Sequence, residues 1–181
     1  MRILAVDPSL RGTGYALLEE SGTRIRCLKY SVVRNAPSLS QEACLIAIHE
    51  ALASAIDLFQ PEALAIEKVI YVQSFATAII LGSARGVAVL AAAQKGLSIH
   101  EYPPKRVKQA VVGNGAAAKD QVAFMIRALL GLTETPPSDA ADAMAIGLTH
   151  LRTMASPIQK AKASKKNDLV PDLTMARKNF L

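Results

Sequence analysis

The stretch RILAVDPSLRGTGY, residues 2–15, decides the fold of this chain. Four apolar residues in a row are typical of a strand that is buried on both faces, and Asp7 stands at its carboxyl end. Gly12 and Gly14 indicate a turn, after which residues 15–20 are predicted to pair with the first strand as a hairpin. Ligands of open α/β sheets gather outside the carboxyl ends of strands, so Asp7 is well placed for chemistry. The alternative is that Asp7 only begins an Asx-type turn.

Length and cysteine usage narrow the class of protein. A chain of 181 residues is expected to form one domain with a sizeable core. The first apolar run is too short for a signal peptide, and Cys27 and Cys44 lie far apart without metal-binding spacing. We therefore expect a cytoplasmic protein in a reducing compartment.

The net charge of +6 is concentrated at the end of the chain. Residues 155–181 contain six Lys or Arg and two Asp, which is a net +4. This polar segment has no periodicity, which predicts a basic, disordered tail after a folded domain of residues 1–154. A basic surface suits a polyanion such as nucleic acid, but a solvated surface without a specific partner has the same composition.

Beyond the hairpin, strands and helices alternate. Residues 24–33 predict a third strand, antiparallel to the second, and the capping-box spacing of Ser38 and Gln41 predicts the start of a helix. Residues 63–67 (ALAIE) repeat the design of the first strand, since they are short, apolar and closed by a carboxylate. Because a helix separates the third and fourth strands, the fourth can lie parallel to the first.

Residues 74–95 predict a long helix that is apolar on nearly all sides. A membrane span is not favoured, because Arg85 at its centre costs about 2.5–3.5 kcal/mol on insertion scales. Gly82 and Gly86 have the spacing that lets a second helix approach closely. The helix is therefore expected to be buried either against a partner subunit or against the sheet.

The last third of the chain adds one strand and three helices. Residues 97–102 predict the fifth strand, a short helix opens at 105–108, and another helix covers 119–130. Two prolines followed by Ser138 predict the N-cap of a last helix over residues 139–154.

Four carboxylates are expected to meet. Asp139 and Asp142 lie on one face of the last helix, where they are, taken alone, more typical of acids that complement a helix dipole. Asp7 and Glu67 end two adjacent parallel strands, which would place them about 5 Å apart. Four such groups would raise one another's pKa unless hard divalent cations lay among their oxygens. Two ions about 3.5–4 Å apart activate water and stabilise the leaving oxygen in phosphodiester cleavage.

No histidine competes as a site, and His49, His100 and His150 are expected to be structural.

With these four acids, the sequence resembles the RuvC family of Holliday junction resolvases over residues 1–153. The resemblance rests on residues 7–8 with 13–15, 65–67, 82 with 84–88, 107–109 with 111–113, and 139–143.

The resemblance implies the RNase H-like α/β fold, with a five-stranded mixed sheet in the order 3-2-1-4-5 flanked by helices. It implies a homodimer, joined through the helix at 74–95, that nicks a four-way DNA junction symmetrically in homologous recombination and repair. The cofactor would be two Mg²⁺ ions per site, which Mn²⁺ can replace, and the partners would include the RuvA and RuvB branch-migration complex. The catalytic and metal-binding acids would be Asp7, Glu67, Asp139 and Asp142.

Five residues are expected to contact DNA: Tyr71, Lys105, Arg106, Lys108 and Lys119. The two last lysines match family lysines near the scissile strand, whereas the basic residues of 105–108 could also form a merely solvated helix. The family usually has Gln-Val-Phe after its glutamate, with the phenylalanine stacked at the junction centre. This chain has Lys-Val-Ile at 68–70, and the tyrosine that follows could take over the stacking. Ser9 stands where the family usually has glycine.

Three other functions fit part of the pattern. A sugar-kinase or actin-like ATPase also has an aspartate before a glycine-rich hairpin, but needs a second lobe and about twice this length. A DNA-binding scaffold that does not cleave would not require four acids. A related RNase H-like nuclease could act on RNA or on other branched DNA.

Overall fold

The computed structural model describes residues 1–69 and 74–155. The elements, in chain order, are β1 (Arg2–Asp7), β2 (Gly12–Ser21), β3 (Arg24–Arg34), α1 (Gln41–Phe59), β4 (Ala63–Glu67), α2 (Phe75–Gln94), β5 (Ser98–Tyr102), α3 (Pro104–Val112), α4 (Lys119–Leu130) and α5 (Ser138–Ala155). Residues Met1–Leu151 form one compact unit. Tyr71 and nearly all of the expected tail lie outside the described residues, so the domain boundary and the tail stay predictions.

The five strands form one mixed sheet in the expected order β3-β2-β1-β4-β5. β2 pairs antiparallel with β1 and β3, whereas β4 is parallel to β1 and β5. The predicted turn at Gly12 and Gly14 is wrong, because both glycines lie inside β2 and Gly14 pairs with Asp7. The ladder thus continues to the last residue of β1.

Alternation of side chains divides the sheet into two faces. In β1 and β4, Ile3, Ala5, Ala63 and Ala65 pack in the core that contains α5. The residues between them pack in a second core with α1 and α2. Asp7 and Glu67, which end the two strands, are in step with the residues that pack against α5. Their carboxylates therefore project from the face that carries α5.

Helix α5 lies close to the sheet because its contact positions are small. A Cβ on Gly147 would lie 2.7 Å from Leu18 Cδ1 and 2.9 Å from Ala5 Cβ. Further along the helix His150 is buried, and its Nδ1 is 2.8 Å from the Tyr102 hydroxyl oxygen. α5 begins at Ser138 itself, one residue earlier than expected.

The start of α1 differs from the prediction. The helix begins at Gln41, and its N-cap is Ser40, whose Oγ accepts a hydrogen bond of 3.3 Å from the N–H of Ala43. The predicted capping box at Ser38 is therefore wrong. Ser40 takes the cap because its extended backbone immediately precedes the first helical residue.

Helix α2 is buried on one side only. Its buried residues are alanines, namely Ala84, Ala88, Ala91 and Ala92. On its other side Phe75, Ile79 and Leu90 are 92, 67 and 50 % exposed. By length and composition it is the one helix within the described ranges that could cross a membrane. Arg85 in its middle forms an ion pair with Glu101 of β5. Packing against α1 and the sheet therefore buries one side of this apolar helix and leaves the other side uncovered.

Candidate active site

Asp7 and Glu67 lie side by side at the carboxyl ends of β1 and β4. The parallel ladder pairs Val6 with Ile66, so the two acids are the next residues in register. Burial raises the pKa of Asp7 to about 7, and the negative charges of Asp142, Glu67 and Asp139 contribute to this rise. The pKa of Glu67 is also raised, by burial and then by Asp142. The structure thus brings carboxylates from β1, β4 and α5 into one electrostatic cluster.

Gly14 allows the start of α5 to reach the sheet. A Cβ on Gly14 would overlap the backbone carbonyl of Asp139, so only glycine fits there. A Cβ on Gly12, two residues away on the same face, would lie 3.1 Å from Asp139 Oδ2. Because Gly14 is the ladder partner of Asp7, this close approach sets the distance between the acids of the strand and the acids of the helix.

The loop after Asp7 is closed by a buried threonine. The Thr13 hydroxyl donates to the carbonyl oxygen of Ser9 at 2.5 Å and accepts from its N–H at 3.1 Å. Only backbone atoms of Ser9 take part, so these contacts do not depend on the residue type there. The loop contacts therefore permit a serine at position 9, and no contact among the described residues assigns its side chain a role.

Two of the expected DNA-binding lysines share the cleft with the acids. Lys119 Nζ is 3.2 Å from Asp142 Oδ2, and this carboxylate raises the pKa of Lys119. The charge of Lys108 acts on Glu67 and opposes the rise of its pKa. The residues that line the cleft are Asp7, Glu67, Pro104, Val107, Lys108, Lys119, Val122, Asp142 and Ala145.

The other expected DNA contacts lie elsewhere or are not described. Lys105 and Arg106 are exposed on α3 outside this lining, and the Arg106 guanidinium lies 5.8 Å from the centre of the Tyr102 ring. Tyr71 is not among the described residues. Sequence reasoning did not assign Gly14, the ladder partner of Asp7, or Thr13, which closes the loop, as residues that position the site, because both roles depend on contacts made in the folded sheet.

The donor chemistry of the cluster fits a hard divalent cation. Its donors are carboxylate oxygens alone, and the pKa of Asp7 is raised first by burial and then by the neighbouring carboxylates, with Lys119 opposing the rise. In the described part of the chain, no group of three or more acidic, histidine or cysteine side chains is arranged so that it could hold a metal ion as it stands. The ammonium of Lys119 is instead the cation that pairs with Asp142.

Comparison with known proteins places this chain in a family. The family model described as crossover junction endodeoxyribonuclease RuvC matches residues 3–150. The chain belongs to the RuvC family. A relative from Akkermansia muciniphila is 54 % identical over 166 residues, covering 92 % of this chain and 99 % of that protein. One from Caldicellulosiruptor saccharolyticus is 39 % identical and covers 86 % of this chain and 95 % of that protein.

Solved structures agree with this assignment. T. thermophilus RuvC in complex with a Holliday junction substrate matches with a TM-score of 0.78 and 36 % identity, covering 83 % of this chain and 93 % of that one. The yeast mitochondrial Holliday junction resolvase Ydc2 matches with a TM-score of 0.61 at 14 % identity, covering 85 % and 80 %, which shows a shared fold. The expected RNase H-like fold is thereby confirmed.

The contact at Gly14 predicts that Gly14→Ala destabilises the protein more than Gly147→Ala does. Both add a methyl group beneath α5, and overpacking costs about 1–3 kcal/mol. At Gly147 the nearest obstructing atom is the end of the Leu18 side chain, which can shift, although Ala5 Cβ is fixed to its strand. At Gly14 the obstructing atoms lie closer and belong to the backbone of Asp139, which cannot move without moving α5. Thermal unfolding measures the difference. A melting temperature of Gly14→Ala at or above that of the wild type would contradict the contact.

The burial of Asp7 and the negative charges around it predict that Asp7→Asn stabilises the metal-free protein at pH 8. Because the folded-state pKa of Asp7 is raised, the native protein is more stable below pH 4 and loses that stability as pH rises towards about 7. A difference of one pKa unit is about 1.4 kcal/mol, which is roughly 3–6 °C in Tm for a chain of this size. The gain should vanish near pH 4. The control is Glu50→Gln, which removes an acid at an exposed position of α1 outside the cleft. If Asp7→Asn and the wild type had the same Tm at pH 8, the raised pKa of Asp7 would be contradicted.

Proposed function

We propose that this protein is a Holliday junction resolvase, an endonuclease that nicks two strands of a four-way DNA junction symmetrically in recombination and repair. The observation that carries the proposal is the cluster of carboxylates from β1, β4 and α5, with two lysines in the same cleft. Membership of the RuvC family supports the substrate class. The homologue solved with a Holliday junction shares the fold over most of this chain.

We propose that Asp7, Glu67, Asp139 and Asp142 hold two Mg²⁺ ions, with Mn²⁺ as a substitute. When bound, such ions activate a water and neutralise charge on the phosphate and on the leaving oxygen of a phosphodiester. The protein's part is to hold the acids at the edge of the sheet through the ladder of β1 and β4 and through the fit of α5 at Gly14. Asp7 and Glu67 lie close to other carboxylates before any cation binds. A bound cation would offset this repulsion, which favours its binding.

The lysines of the cleft act on the scissile phosphate. Negative charge grows on the phosphoryl oxygens in the transition state, and a fixed cation there stabilises it. Lys119, held at the start of α4, and Lys108, on α3, point their charge into the cleft. Lys105 and Arg106 would bind the backbone beyond it, and Tyr71 would stack on bases at the junction centre.

We further propose that the protein is a homodimer joined through α2, working in the cytoplasm with the RuvA and RuvB complex. An uncovered apolar helix face that includes Phe75, Ile79 and Leu90 is typical of an interface. A symmetric dimer would present two clefts to the two strands that must be cut.

Asp7→Asn should abolish nicking of a synthetic four-way junction in Mg²⁺ while leaving junction binding intact. The substitution removes a ligand oxygen but not the DNA-binding surface, and we expect a rate loss above about 100-fold. The matched control is Asp120→Asn, an exposed acid next to Lys119 that does not line the cleft. Linear duplex, flap and RNA–DNA hybrid substrates test the related nucleases. Nicking by Asp7→Asn at the wild-type rate would rule out the mechanism.

Ile79→Glu should weaken the dimer. Burial of an isoleucine side chain contributes about 1.5–3 kcal/mol, so the dissociation constant should rise at least roughly tenfold. Sedimentation velocity over a concentration series measures this change. Phe124→Glu on α4 is the control, since Phe124 is 65 % exposed and Ile79 is 67 % exposed. If both variants dimerise like the wild type, α2 is not the interface.

A further inference from the structure

Basic residues lie on one side of the acids, and the end of β3 lies on the other side. α3 follows β5, so Lys105, Arg106 and Lys108 lie on the β5 side of the acids. On the opposite side the sheet continues through β2 to β3, whose last residue is Arg34. Arg34 is exposed.

The side chain of Arg34 shares the sheet face of the four acids. Tyr30 and Val32 pack in the core that contains α5, so the next residue of this alternation, Arg34, projects on the same side. Its ladder partner is Gly12. The Asp139 carboxylate lies over Gly12, 3.1 Å from the position of a Cβ there. Arg34 therefore stands next to the strand position that a catalytic acid covers.

The backbone that carries Arg34 is firmly held. The adjacent Asn35 is buried, and its Nδ2 donates to the carbonyl oxygens of Leu10 at 2.7 Å and Cys44 at 3.3 Å. The N–H of Asn35 donates to the carbonyl oxygen of Arg11 at 3.1 Å. The end of β3 is thus tied to the loop that follows Asp7, and a side chain there has a fixed origin.

The guanidinium of Arg34 is available to a ligand. Arg2 and Arg26 share the carboxylate of Glu19, and Arg85 pairs with Glu101. Within residues 1–69 and 74–155, by contrast, no carboxylate forms an ion pair with Arg34. An arginine at the rim of an acidic cleft can offset the repulsion that a nucleic acid meets there, and its planar fork matches a phosphate.

We propose that Arg34 binds a backbone phosphate of the cut strand on the side of the cleft opposite α3. The strand then runs from α3 across the acids to the end of β3. β3 lies two strand spacings, about 10 Å, from β1, so the contact falls within a few nucleotides of the scissile phosphate. This inference rests on the proposed junction-cleaving function.

The first test is the salt dependence of junction binding by the full-length protein, measured without divalent metal. Arg34→Gln should weaken binding roughly tenfold near 0.1 M salt. It should also lower the slope of log K against log salt by about 0.9 for each phosphate that the protein no longer neutralises. Arg34→Lys should keep the slope. The matched control is Arg24→Gln, because Arg24 is also exposed and lies at the other end of β3; it should behave like the wild type.

The second test locates the contact. Junctions with one neutral methylphosphonate linkage are prepared for each phosphate within about four nucleotides of the scissile one. At one position the neutral linkage should weaken the wild type but not Arg34→Gln, as expected when both changes remove the same interaction. Identical salt slopes for Arg34→Gln and Arg24→Gln would overturn the inference about Arg34 but not the proposed function. The same holds if no phosphate position shows coupling with Arg34. A wild type that does not prefer a junction to linear duplex would overturn the proposed function as well.

Discussion

The close approach of the Asp139 backbone to Gly14 is the contact on which the site depends. Gly14 is the ladder partner of Asp7 in the sheet, and it also lies against the backbone of the helix that carries Asp139 and Asp142. Any side chain there would lift α5 from the sheet and separate the acids. The absence of one methyl group therefore sets the geometry of the cluster.

That geometry places like charges together at a cost in stability. A carboxylate whose pKa is raised by burial and by its neighbours destabilises the folded state at neutral pH. The fold tolerates this because both faces of the sheet carry a hydrophobic core, and α5 is buried from Ala140 to Leu151 apart from Asp142. Functional sites commonly carry such local destabilisation, and a bound cation would remove it.

Much of the fold followed from patterns within single segments. The apolar runs ending in Asp7 and Glu67 predicted two buried parallel strands, because burial on both faces and the period of a strand are local properties. The roles of Gly14 and Arg34 did not follow, since each depends on which residue of another strand lies opposite. Such register is set by the assembled sheet. The sequence pattern favours Ser38 over Ser40 as a helix cap only weakly, because two serines two residues apart offer similar local signals.

Whether the acids form one coupled cation site is tested most directly by NMR. The carboxyl carbon of Asp7, assigned by comparison with Asp7→Asn, is followed through a pH titration with and without Mg²⁺. We predict that Asp7 titrates near pH 7 in the metal-free protein. Saturating Mg²⁺ should shift this titration to well below that value. Titration near the ordinary aspartate value of about 4, unchanged by Mg²⁺, would contradict the account.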